Sequence, residues 1–102
     1  MLIVLVTTPN EAEAGSLAAR IVEERLAACV QILPTMTSVY VWEGKLQKDA
    51  EHLLLIKTLP EKYDEVETFI IANHSYDVPE IVAIDAERVS GPYLAWMNGV
   101  LG

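Results

Sequence analysis

Between Arg25 and Gly44 the chain reads RLAACVQILPTMTSVYVWEG, and this stretch restricts the fold more than any other. It leaves a helix, continues as an extended segment from Ala28 to Trp42, and ends in an aromatic tip before the turn Glu43-Gly44. Val, Ile, Thr, Tyr and Trp in this density favour a strand. A strand of that length, with Tyr40 and Trp42 at its end, is expected to reach beyond its own subunit. Pro34 sits inside it without the N–H that a ladder needs, which predicts a bulge or a change of partner midway.

The remaining segments place this strand in a larger order. Leu2 to Thr7 reads as a strand that is apolar on both faces. Asn10 followed by Glu13 is a capping-box-like start for a helix over about Glu11 to Glu24, with Ala14, Leu17, Ala18, Ile21 and Val22 at helical spacing. Lys45 to Thr58 returns from the hairpin as a strand. Pro60 opens a second helix carrying Tyr63, Val66, Phe69 and Ile70 on one face and ending near Ala72 or Asn73. The loop His74 to Pro79 leads to a last strand, Glu80 to Ala86, and Gly91-Pro92 starts a short terminal helix that Tyr93 and Trp96 are expected to anchor. The order β-α-β-β-α-β plus a helix is an α+β, ferredoxin-like arrangement over one domain, residues 1–102.

In that arrangement two helices cover one face of an antiparallel sheet. LIVLV, LLLI and IVAI are apolar on both faces, so the second face needs another cover. Copies of the same chain are its simplest source, and 52% apolar residues in a small domain point the same way.

Composition closes other routes. With 15 acidic and 7 basic residues the formal charge is −8, which repels phosphate backbones and argues against nucleic-acid binding. No run approaches the ~20 apolar residues of a membrane span, and MLIVLVTTPN reads as a strand without the basic start of a signal peptide, so a cytosolic location is expected. The single cysteine, Cys29, allows no internal disulfide.

RLAACVQILP, TSVYVWEGKL, LLLIKT, HSYDVPEI and YLAWM, with VTTPNEAEA near the start, together resemble the CutA family of divalent-cation tolerance proteins. The resemblance implies a homotrimer in which three ferredoxin-like sheets pack edge to edge around a threefold axis, an architecture similar to the PII signalling proteins. It also implies a non-enzymatic protein that binds Cu²⁺ or another divalent cation. Copper-binding members draw a cysteine from the end of the first strand and adjacent histidines from the loop after the second helix. The matching positions here are Val6, Asn73 and His74, so His74 alone carries that pattern over.

Candidate ligands are therefore His74, with Cys29, Asp77 and Glu80 as weaker ones. The competing role for His74 is to hydrogen-bond backbone and fix its loop. His52 is read as a polar strand end. Tyr40, Trp42, Glu51, Lys57 and Tyr76 are expected at a cleft between subunits; Glu51 and Lys57 lie on one strand face, and their alternative role is an ion pair that satisfies both at a subunit boundary. A PII-like scaffold or small-molecule sensor is the second functional reading. Enzyme classes find no support: the loop TTPN lacks the arginine of an acylphosphatase, and no organic-cofactor loop, GxSxG or HExxH occurs.

Overall fold

Runs of apolar residues build a sheet here, and helices with an apolar stripe cover one side of it. The computed structural model describes every residue from Met1 to Gly102. In chain order the elements are β1 (Leu2–Thr8), α1 (Glu11–Glu23), β2 (Cys29–Ile32), β3 (Met36–Trp42), β4 (Lys45–Thr58), α2 (Tyr63–Asn73), β5 (Ile81–Asp85) and α3 (Gly91–Leu101), with a 3₁₀ turn at Pro60–Lys62. The strands pair antiparallel in the order β2-β4-β1-β5, and β3 continues along the far half of β4. This is the ferredoxin-like arrangement that the sequence predicts.

Local chemistry sets the ends of α1. The Asn10 side chain accepts from the Glu13 N–H at 2.8 Å, and Glu11 and Glu13 lie in the positive first turn. At the other end Leu26 N–H donates to Ile21 O and Arg25 N–H to Val22 O, a Schellman motif. Arg25 holds φ 58° to make it, a conformation that favours glycine. The motif buries Leu26 beside Ile21 in the main core.

The two sheet faces differ sharply. Val4, Val6, Leu54 and Ile56 have no exposure and pack under Leu17, Ile21, Val66 and Ile70. Each such side chain contributes about 1.5–3 kcal/mol relative to exposure. On the opposite face Leu5 and Leu55 are only half-buried, and Val82 and Ile84 on the edge strand β5 are 47% and 50% exposed. The helix α3 shields one end, where Met97 is fully buried with Ala28 and Leu59. Met97 is thus the anchor of α3. The expected anchor Trp96 lies 46% exposed against Tyr93, because the helix presents only one narrow side to the sheet.

The segment Ala28 to Trp42 is not one continuous strand. Ile32 pairs with Leu54 and Met36 with Glu51, so Leu33-Pro34-Thr35 oppose only His52 and Leu53. Pro34 thus marks a one-residue bulge, and both halves keep β4 as partner. His52 lies within β4 and not at a strand start: its Nδ1 is 3.2 Å from Leu33 O and its Nε2 3.2 Å from Thr35 Oγ1. The ring clasps the bulge from across the ladder.

Beyond the bulge, β3 and the first half of β4 form a projecting hairpin. It stretches the molecule to 45 × 25 × 23 Å and its radius of gyration to 14.2 Å. A compact chain of this length has a radius of about 13 Å. Glu43 and Gly44 both hold positive φ, 51° and 77°, as a two-residue type I′ turn requires.

Candidate functional site

Where the hairpin leaves the body, on the sheet face opposite α1 and α2, lies a cleft of about 730 Å³. Tyr40 and Trp42 of β3, Glu51 of β4, and Tyr76, Asp77 and Glu80 of the loop before β5 line it, with Thr7, Ser38 and Ser75 among its polar wall. The ladder explains the convergence. Ser38, Tyr40 and Trp42 alternate along one face of β3, and Met36 on that same face stands opposite Glu51. The loop brings the remaining groups from the other side.

That loop is set by His74. Its side chain is fully buried, with Nε2 2.7 Å from Thr7 O and Nδ1 accepting from the Tyr76 N–H at 3.0 Å. These bonds define a neutral ring carrying its proton on Nε2. Glu13 Oε2 lies 3.6 Å from Nδ1 and accepts from the Ser75 N–H at 3.3 Å. The Tyr76 ring then stacks at 4.8 Å from the imidazole, and its hydroxyl donates to Glu51 Oε2 at 2.9 Å. Burial, then the bond to Glu51, holds the Tyr76 phenol far above its ordinary range. Tyr40 donates to the Asp49 carboxylate, and that bond is the main reason its phenol is also raised.

The sequence-predicted residues divide between two places. Tyr40, Trp42, Glu51, Tyr76, Asp77 and Glu80 come together in the cleft. Lys57 does not: it stands six residues along β4 from Glu51, about 20 Å away at strand rise, with Nζ 5.6 Å from the centre of the Tyr93 ring. The same distance rules out an ion pair between Glu51 and Lys57 of one chain; a pair across a subunit boundary would need a second copy. Cys29 pairs with Lys57 across the ladder and is equally remote from the cleft. Asp49 escaped sequence reading, although its place two residues before Glu51 puts both on one strand face.

The donor chemistry does not fit a copper centre within one chain. His74 was expected as the leading ligand, but both of its nitrogens engage the protein's own backbone. With Cys29 remote, only carboxylates remain at the cleft, and no three His, Cys, Asp or Glu groups converge as a ligand set. Oxygen donors of that kind suit hard cations and not copper.

No helix is long and apolar enough to cross a membrane. Residues 2–100 match the CutA1 divalent ion tolerance protein family. The rice (Oryza sativa subsp. japonica) Protein CutA 1, chloroplastic, is 47% identical over 97 residues, which cover 95% of this chain and 55% of the rice protein. This chain thus spans about half the length of the first curated relatives it matches. The solved divalent cation tolerance protein of Thermus thermophilus superposes with a TM-score of 0.95 at 43% identity, covering 100% of both chains. A periplasmic divalent cation tolerance protein CutA from Archaeoglobus fulgidus superposes at 0.96 with 37% identity, again over 100% of both. With a family match over nearly its whole length and relatives this similar, the chain belongs to the CutA1 divalent ion tolerance protein family.

Proposed function

We propose that the protein is a non-enzymatic homotrimer serving divalent-cation tolerance, whose metal contacts are completed only between copies. The observation that carries this reading is the half-exposed apolar sheet face ending at Val82 and Ile84, beside a hairpin whose Val41 and Leu46 are 67% and 66% exposed. That much apolar surface on a 102-residue chain favours burial against a like surface. The open edge of β5 offers ladder hydrogen bonds to a neighbour as well. Names of relatives support the divalent-cation part. Within this reading Asp77 and Glu80 are the weak oxygen donors and His74 keeps its loop in place. Cytosolic residence belongs to the same proposal, and relatives named for chloroplast and periplasm make cell fractionation its test.

Sedimentation of the purified protein tests the assembly: a species of three chain masses is expected, and a stable monomer would overturn it. Calorimetric titration with Cu²⁺ and Mn²⁺ against an Asp77→Asn/Glu80→Gln variant tests the metal. Heat lost in the variant supports cleft carboxylates as donors, and equal heat in both places the ions elsewhere.

A second reading is favoured by the cleft itself. At about 730 Å³, with aromatic walls and convergent polar groups, it has the size and lining of a small-molecule site. In this reading the trimer is a PII-like sensor and metal binding is incidental.

A further inference from the structure

The charge inside the cleft is unbalanced. Three carboxylates, Glu51, Asp77 and Glu80, line it with no lysine or arginine. Glu51 is only 7% exposed, and no basic side chain lies within salt-bridge distance of it. Its Oε2 takes the neutral Tyr76 hydroxyl, while Oε1 has no hydrogen bond within the chain and is not sealed from solvent. A desolvated carboxylate without a counter-charge is costly. Glu51 lines the cleft together with the three rings of Tyr40, Trp42 and Tyr76, and aromatic rings attract cations.

A bare divalent ion is a poor match to this lining. Such ions require several oxygens at about 2.0–2.6 Å, and no three acidic groups converge here. Aromatic rings contribute nothing to that coordination. They do suit a cation whose charge is carried on an apolar body.

We propose that the cleft binds a small organic ammonium ion, with its charged nitrogen on Glu51 and its apolar body against Tyr40, Trp42 and Tyr76. The proposal rests on the reading of the cleft as a small-molecule site and names the class of molecule. The bond from Tyr76 holds Glu51 in place, and Asp77 and Glu80 at the rim attract cations from solution.

The test uses three probes that share a cyclohexyl body, on the assembled protein as purified: cyclohexylamine, cyclohexanol and cyclohexanecarboxylate at neutral pH and low salt. Binding is read by calorimetry and tryptophan fluorescence. The ammonium form of the amine should bind at least about tenfold more tightly than the alcohol, with the carboxylate weakest. Glu51→Gln, which keeps an acceptor for Tyr76, should erase that preference, and Asp77→Asn should reduce it about twofold. Trp42→Ala, on an exposed site, tests the location without threatening the core: amine affinity should fall while the circular dichroism spectrum is unchanged. Tighter binding of the alcohol or carboxylate, lost in Trp42→Ala, would overturn the ammonium assignment and leave the cleft as a ligand site. Silence from all three probes would remove both, as would amine affinity indifferent to Trp42→Ala and Glu51→Gln.

Discussion

The strand β4 passes through two different environments, and the contrast separates what folds this chain from what equips it. From Leu53 to Thr58 it is the centre of the sheet, with Leu54, Ile56 and Thr58 fully buried beneath two helices. From Lys45 to Ala50 it is half of a hairpin on which every residue but Gln47 is exposed. Burial organises the first half. The second half is ordered by its ladder to β3, by the tight turn and by the His52 clasp. Stability therefore resides in the body, while the arm carries two of the cleft's three aromatic groups, Tyr40 and Trp42.

The largest effect should come from Leu54→Ala, at about 3–4 kcal/mol lost in urea unfolding, because its cavity lies inside a packed core. The same truncation at Leu46 should change the isolated chain by no more than about 0.5 kcal/mol. If Leu46→Ala instead costs more than about 2 kcal/mol in the assembled protein, another copy buries the arm and the contrast belongs to the single chain alone.

His74→Ala comes next. It removes a buried ring and strands Thr7 O and the Tyr76 N–H, so about 2–3 kcal/mol should be lost. The loss should be equal with and without EDTA. A loss seen only when metal is present would return His74 to the role of ligand.

Tyr76 links body and arm through pH. Its phenol has a higher pKa in the folded chain than the value of about 10 in the unfolded one. The folded state therefore favours the protonated phenol, and the resulting stability is complete below about pH 10 and lost as pH rises beyond it. Unfolding free energy should decline between about pH 10 and about 11.5 more steeply in the parent than in Tyr76→Phe. Parallel curves would show that neither burial nor the bond to Glu51 raises this phenol.

The smallest effects concern two strained residues, one in each region. Arg25→Gly in the body should stabilise by about 0.5–1 kcal/mol, since glycine accepts positive φ freely. Glu43→Asn at the tip should add about 0.5 kcal/mol to the hairpin and little to the global midpoint. Equal shifts in the global midpoint would show that arm and body unfold together.

The difference between regions also explains how much could be read without coordinates. The apolar runs LIVLV and LLLI, the Asn10 cap and the Pro34 interruption act over a few residues, so sequence exposes them directly. Strand periodicity puts Tyr40 and Trp42 on one face, and with the family resemblance it sets the expectation of a cleft between subunits. Pairings across the chain were not legible. His74 reaches Thr7 over 67 residues, Tyr76 reaches Glu51 over 25, and neither contact leaves a local mark. Lys57 stays apart from Glu51 within the chain for a simpler reason. Two residues on one strand face share a side, but six positions of extended chain keep them apart.

The irregularity at Leu33-Pro34-Thr35 governs aim, because β4 is the partner on both sides of it and the pairing beyond it is regular. Ile32 stands opposite Leu54 on the helix-covered surface, whereas Ser38 stands opposite Asp49 on the reverse one. Shortening the chain by Pro34 alone would therefore leave Tyr40 across from Gln47 and pointing the same way, with a regular ladder in place of the kink. Only the bearing of the lever would change. Trp42 lies about 20 Å of strand beyond Met36, so a swing of about 15° at the root would carry its indole about 5 Å. A protein trimmed in this way would melt much as before, yet its aromatic jaw would no longer meet Tyr76.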